Sequence, residues 1–471
     1  MKKLFIPIVL LLMMTGCSGN IRGDSDYIGN SGSDNSLGSS SVIEEVDEEA
    51  IKPRENIFSS PVEFRVLWEN SGISGFGYEG IAYSRRFDTD DFYIATQPHD
   101  GDGIPESIVS KIGVDNIPKV LCDKPDCQHI HSDCGAYMGN IVFTIDGKLY
   151  SIDTSYPEFG IDTNTVYTIG DNGKEILAEY RDLFLYYDSE IYTDGKDIFY
   201  FSDENDGIYL KKINLTTGEM TTECALFENV SDGVPITFDD GVTKTGSIGI
   251  SNNIKIEDIA DDGSYFIYSF YYTIPKISVN CGGKMIAKYD VATGKNTYLN
   301  ANRSIYKDYF KTRNDTGKIQ ESYIFLNNKV IKKDTVTTEN TTVYKNVFYY
   351  NNGDWVEMPE VTEKLAGRQV MKTYKIDDKI VFDLYSDSWQ VKDTAVVIDT
   401  KDMSVSTLTL KFPASSAKYY RTPDIFGITK NDLIIGISNY GNGRVTLARM
   451  SKENFFNSVG DYEQIGEFRL L

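Results

Sequence analysis

Three of the six cysteines and two of the three histidines of this chain fall within one short run, Cys122-Asp123-Lys124-Pro125-Asp126-Cys127-Gln128-His129-Ile130-His131-Ser132-Asp133-Cys134. Written as C-x4-C-x-H-x-H-x2-C, it offers the thiolate and imidazole donors that tetrahedral zinc takes. Three sulfurs and one ring nitrogen close that shell and leave no position for a substrate. Cys127, His129 and His131 alternate, so an extended segment turns all three to one side. Pro125 favours a turn that brings Cys122 back toward Cys127. The expected ligands are Cys122, Cys127, His129 and Cys134, with His131 as the substitute for His129, and the expected cofactor is a structural zinc. A disulfide is the competing chemistry, because an exported chain permits one. Three cysteines leave one over, to pair with Cys224 or Cys281 if those strands come close, and unmodified thiols are the third reading. In all three the role is structural.

Other chemistry is sparse. Asp100, Asp102 and Glu106 set acidic oxygens around glycines, but the run lacks the third aspartate and the loop length of an EF-hand, so a solvated hairpin loop is expected there and calcium is not. His99 stands directly before it. The sequence holds no nucleophile elbow, no phosphate-cradling loop with its lysine and no His-Glu-x-x-His helix, so no catalytic and no cofactor-binding residue is assigned. A carboxylate pair for glycoside hydrolysis is not legible among 70 acidic residues.

The elements that must position these residues are strands. From Pro61 onward, tyrosine, phenylalanine, isoleucine and valine alternate in short runs with no long helical period, which is all-β character. A turn of Asp, Asn or Gly followed by an alternating strand recurs at Asp90-Asp91, Asp146-Gly147, Asp194-Gly195, Asp262-Gly263, Asn327-Asn328, Asp377-Asp378 and Asn431-Asp432. These are repeat units. A second signature follows in several of them: Asn214 to Gly218, Asp290 to Gly294 and a weaker copy at Asp399 to Asp402. There Asp or Asn side chains close a turn in which glycine supplies positive φ. Four short strands per unit cannot bury two apolar faces alone, and radial stacking solves this in a β-propeller. Seven blades are expected, with six or eight the neighbouring counts. Closure is expected from Phe64 to Trp68, or from Gln464 to Leu470, pairing with a strand from the opposite end of the chain.

The amino end reads as an export signal. Lys2 and Lys3 precede the apolar run Leu4 to Met14, which is too short to span a bilayer. Met14-Thr15-Gly16-Cys17 resembles the lipobox of bacterial lipoproteins. The resemblance implies that Cys17 is acylated and anchors the chain, each buried methylene contributing about 0.8 kcal/mol. The Gly, Ser, Asp and Glu that follow cannot bury enough surface to order themselves and read as a tether. The expected organisation is a signal at 1–16, an acylated cysteine and acidic tether at 17–60, and a propeller at 61–471 with a Cys/His insert at 99–135.

The blades resemble those of TolB-like and related β-propellers. Together with the lipobox, the acidic tether and the Cys-rich insert they resemble a group of surface lipoproteins of clostridia-type Gram-positive bacteria. The tether, the acidic surface and the lack of a catalytic constellation point to a monomeric module at the extracytoplasmic face of the cell membrane, binding or scaffolding a protein, peptide or glycan. The rival is a propeller hydrolase or lyase acting on extracellular glycans or peptides. A net charge of −23 argues against nucleic acid as a partner, since like charges repel.

Overall fold

In a computed structural model, residues 56–469 are described apart from 70–85, 97–107, 123, 128–133, 137–140, 154–163, 171–172, 181–189, 205–206, 238–240, 242, 249–253, 275–280, 300–318, 327–328, 338–343, 353, 366–367, 386–393, 410–423 and 440–443. Cys17 with the signal and nearly all of the tether, His99, the Asp100 to Glu106 run, His129 and His131 therefore lie outside the described residues.

A first strand, β1 (Arg65–Glu69), precedes the blades. The first blade holds β2 (Phe92–Thr96), β3 (Ile108–Ile112) and β4 (Pro118–Val120). The second holds β5 (Ile141–Ile145), β6 (Lys148–Asp153), β7 (Asn164–Gly170) and β8 (Gly173–Tyr180). The third is β9 (Glu190–Thr193), β10 (Asp197–Glu204), β11 (Gly207–Asn214) and β12 (Met220–Glu228), followed by a separate hairpin, β13 (Val234–Thr237) and β14 (Thr243–Gly246). The fourth is β15 (Lys255–Ile259), β16 (Tyr265–Ile274), β17 (Cys281–Asp290) and β18 (Lys295–Tyr298). The fifth is β19 (Ile319–Leu326), β20 (Lys329–Thr337), β21 (Tyr344–Asn352) and β22 (Asp354–Glu357). Helix α1 (Pro359–Leu365) leads to the sixth, β23 (Gln369–Ile376), β24 (Lys379–Tyr385), β25 (Thr394–Asp399) and β26 (Val405–Thr409). The seventh is β27 (Asp424–Ile428), β28 (Asp432–Asn439), β29 (Arg444–Ser451) and β30 (Glu463–Arg469), with the short helix α2 (Lys452–Phe456) between its last two strands. Each blade is an antiparallel meander in chain order.

Shared cores join every neighbouring pair. Phe143 and Tyr200 share one between blades two and three, and Phe199 and Tyr268 share one between three and four. Ile267 meets Phe325, Phe348 meets Phe382, and Val397 meets Leu433 at the next three junctions. Phe92, Val142 and Phe426 join blade one to blades two and seven. The chain is therefore a seven-bladed β-propeller.

The repeating turns fall where their chemistry demands. Five of the seven pairs lie just before or at the start of the second strand of a blade, Asp90-Asp91 lies just before β2, and Asn327-Asn328 falls outside the described residues. Asp146 and Gly147 both have positive φ, 50° and 70°, the requirement of a two-residue turn whose twist matches its flanking strands. The second signature joins third to fourth strands: Asn214 Oδ1 accepts from the backbone N–H groups of Thr216 and Thr217, each at 2.9 Å, and Asp290 Oδ1 accepts from Thr293 in the same way. The Thr293 hydroxyl, donating at 2.7 Å, holds the Asp290 carboxyl below its usual range. Both turn types thus lie on one face of the ring, and the longer connections lie on the other.

Closure differs from expectation. Among the described residues β30 pairs only with β29 of its own blade, and β1 pairs antiparallel with β9, the innermost strand of blade three. Neither end is exchanged between the first and last blades, because all four strands of blade seven come from one continuous stretch. Contact between those blades is made instead by a parallel bridge from Arg86 to Ile428, by Phe87 N–H donating to the Ile428 carbonyl at 2.9 Å, and by the Arg449 side chain.

Candidate functional site

Inner strands of a propeller line a central channel, and β1 lies inside it. The segment before β1 crosses the turn face. Ser59 N–H donates to Asp194 Oδ2 at 2.6 Å, and Phe58 is buried with its ring 5.0 Å from Phe199 and 5.9 Å from Phe266. The chain then descends as β1 between blades two and three. Arg65 Nη2 reaches the Thr144 carbonyl and Asp88 Oδ2, each at 3.4 Å. The pairing with β9 shifts register between Val66 and Trp68, and Leu67 is fully buried in the core of blades two and three.

The rest of the channel is a cavity of about 210 Å³, lined by Val66, Arg86, Glu190, Lys255, Glu257 and Lys375 together with Tyr374, Phe426 and Ile428. These charges come from four inner segments far apart in sequence. Glu190 is nearly fully buried. It pairs with Lys255 and accepts from the Tyr192 hydroxyl at 2.6 Å. Tyr192 in turn accepts from the Ile256 N–H at 2.8 Å, and burial, then the Glu190 charge, pushes its phenol well above the ordinary range. Glu257 accepts from the Ser269 hydroxyl at 2.7 Å and pairs with Lys375 at 3.5 Å. Arg86 Nη2 donates to the Lys375 carbonyl at 2.6 Å. Each of these carboxylates is thus engaged by one lysine and one hydroxyl donor.

The thiol cluster lies outside this channel, in the connection from β4 to β5 on the face of longer connections. Lys124 to Cys127 forms the turn that Pro125 predicts, with Cys127 N–H donating to the Lys124 carbonyl at 3.2 Å. Val109 N–H donates to the Ala136 carbonyl at 2.9 Å and so fixes the far end of the run to blade one. The Sγ atoms of Cys122, Cys127 and Cys134 all lie within 4.8 Å of one another. Burial raises the Cys122 thiol but is outweighed by backbone donors at Lys124 and Gly135 and by the two other thiols, which bring it down to about 7. Burial foremost pushes Cys134 up to about 11. Cys224 stands elsewhere, buried with Tyr268 and Tyr289 between blades three and four.

No protein-family model and no curated protein matches the chain. In structure it is similar to the β-propeller domain of the trilobed protease from Pyrococcus furiosus, at 8% identity over 83% of this chain and 97% of that one, with a TM-score of 0.41. It is also similar to TolB from Acinetobacter baumannii, at 13% identity over 81% of each chain and a TM-score of 0.27. An oligogalacturonate lyase from Vibrio parahaemolyticus is a third, at 10% identity, 80% and 93% coverage and a TM-score of 0.36. Likeness at this level carries no argument about activity.

Of the expected ligands, three cysteines come together and His129 lies outside the described residues. The channel charges were not assigned from sequence. Lys255 and Glu257 in an alternating strand look like any solvated face, and ring geometry alone brings them to Glu190 and Lys375.

Proposed function

We propose that the protein is a lipid-anchored, extracytoplasmic β-propeller that binds a protein, peptide or glycan through its channel and the face of longer connections. The observation that carries this reading is the state of the channel. One wall is taken by β1, and both carboxylates that face the cavity, Glu190 and Glu257, are committed to ion pairs and hydroxyl donors. The site is built to hold a shape and a charge pattern. The rival, a hydrolase or lyase, has those same two carboxylates in its favour. Each of the two, however, is already engaged by a lysine and a hydroxyl donor.

The thiol cluster fits a structural zinc in this reading. Sulfurs about 2.3 Å from a tetrahedral ion lie ~3.8 Å from one another, compatible with the spread among Cys122, Cys127 and Cys134. His129, or His131 in its place, completes the shell. The ion would staple the long connection between blades one and two, and it supplies no open coordination site.

The test is to immobilise the mature chain and present cell-envelope polysaccharides, peptides and proteins from the same envelope. Specific, saturable capture without turnover supports the binding module. Release of new reducing ends, unsaturated sugars or new amino termini, abolished in Glu190→Gln, establishes the rival.

A further inference from the structure

We propose that Cys122, Cys127 and Cys134 form a redox-gated metal site. Reduced, the three sulfurs hold a zinc ion; oxidised by a peroxide, Cys122 and Cys127 close into a disulfide and give the ion up. This deepens the structural-zinc reading above and rests on it.

The three Sγ atoms lie within 4.8 Å of one another, so a metal and a disulfide draw on the same donors and exclude each other. The sulfurs differ in access. Cys134 is fully buried with Ala136, whereas Cys122 and Cys127 are half-buried at the edge of that small core. Oxidation follows thiolate exposure, which selects the outer pair. Cys134 is also held in place, its Sγ accepting from the Ala136 N–H at 3.3 Å. Cys122 and Cys127 bracket the turn in which Cys127 N–H donates to the Lys124 carbonyl, so their link closes a short local loop. One disulfide then removes two of the three sulfur donors, and a closed tetrahedral shell cannot be kept with the one that remains.

The two states tie the insert to blade one differently. One arm of the run leaves β4 through Leu121, whose N–H donates to the Val109 carbonyl at 3.0 Å; the other returns through Ala136, whose carbonyl accepts from the Val109 N–H at 2.9 Å. Both arms thus grip one residue of β3, and Val109 belongs to the core that joins blade one to blades two and seven. With metal bound, Cys122 and Cys127 on the first arm are joined to Cys134 on the second. A Cys122–Cys127 disulfide closes only the turn around Pro125, so oxidation unlatches the returning arm. The step balances. Two thiolates, one hydrogen peroxide and two protons give one disulfide and two waters: the O–O bond breaks, the S–S bond forms, and two electrons pass from sulfur to oxygen through a sulfenic acid.

Titration of the reduced, zinc-loaded mature chain with hydrogen peroxide tests this. Released metal is read with a chromogenic chelator, thiols by a colorimetric count, and pairing by peptide mass mapping without reductant. One zinc is expected to leave for every two thiols lost, with the peptides of Cys122 and Cys127 linked, and reductant with fresh zinc should restore the starting state. Cys134→Ser, which keeps both outer sulfurs, should still form that link; circular dichroism confirms that it folds. Peptides covering β3 should exchange their amide hydrogens about tenfold faster after oxidation. Zinc retained once the outer pair is oxidised, thiols lost singly as sulfinic acids, a link to Cys134 in place of the outer pair, or unchanged exchange in β3 each overturns the switch while the zinc reading stands. A reduced chain that takes up no zinc removes the zinc reading itself, and the switch with it.

Discussion

Arg449 of the seventh blade donates from Nε to Asn116 Oδ1 of the first at 2.8 Å. The same guanidinium donates from Nη1 to the Asp90 carbonyl at 2.7 Å and from Nη2 to the carbonyls of Ile112 and Gly113, each at 3.1 Å, while Asp432 of its own blade pairs with it at 2.9 Å. This side chain, only 7% exposed, joins the contacts of Arg86 and Phe87 with Ile428 in doing at this junction what strand exchange does in other rings. Arg449→Met removes the charge, strands Asp432 and takes a donor from three first-blade carbonyls, those of Asp90, Ile112 and Gly113. The expected loss is about 3–5 kcal/mol, read as a lower urea midpoint; an unchanged midpoint would mean that the apolar core around Phe92 and Phe426 closes the ring unaided.

Tyr192 links blade three to blade four through Glu190 and the Ile256 N–H. Tyr192→Phe keeps the ring and leaves a buried N–H and a carboxylate oxygen short of a partner. A cost of about 1–3 kcal/mol is expected, and equilibrium unfolding measures it. No measurable change would show that water replaces the hydroxyl.

Stability should fall on the alkaline side. Burial is the first cause that raises the phenols of Tyr93 and Tyr180 to about 12 and those of Tyr192 and Tyr268 further. A group whose pKa is higher folded than unfolded contributes stability that is complete below its unfolded value, near 10, and that is lost as pH rises through the folded value. Phenolate absorbance followed from pH 9 to 13 should therefore rise in two phases, exposed tyrosines first and the buried set together with loss of circular dichroism. Titration of all 32 tyrosines in one phase near 10, with the fold intact, contradicts the burial.

Protein purified without added metal should carry one zinc per chain. Cys134→Ser should release it, and His129→Ala against His131→Ala should identify the fourth ligand. Absence of metal, with three titratable thiols after denaturation in place of the five of Cys122, Cys127, Cys134, Cys224 and Cys281, points to a disulfide instead.

The core also sets steric limits. A Cβ added at Gly436 would lie 1.7 Å from Phe426 Cε2. Gly436→Ala is expected to cost about 1–3 kcal/mol through displacement of that ring, and with it to reshape the cavity wall. A thermal midpoint equal to that of the parent chain would refute this.

Much of the architecture was legible because its turn chemistry is local. Asp146-Gly147 and Asn214 to Gly218 carry their own conformational instructions, and each marks a fixed corner of a blade. The turn at Pro125 was legible for the same reason. Closure was not, because Phe64 to Trp68 has the pattern of any strand and nothing local distinguishes an outer partner from the inner edge of β9. The channel was illegible on the same ground: Arg86, Glu190, Lys255 and Lys375 become neighbours only through the radial arrangement of whole sheets.

The threading of β1 has a mechanical consequence. Tension applied at the amino end passes first through Phe58, wedged between Phe199 and Phe266, and then along β1, whose hydrogen bonds to β9 run across the direction of pull. Bonds loaded in that way share the force and yield together, whereas an outer strand would peel away one bond at a time. A chain tugged by its amino end is thus gripped from inside the ring, and the outer edges of the blades are left unloaded.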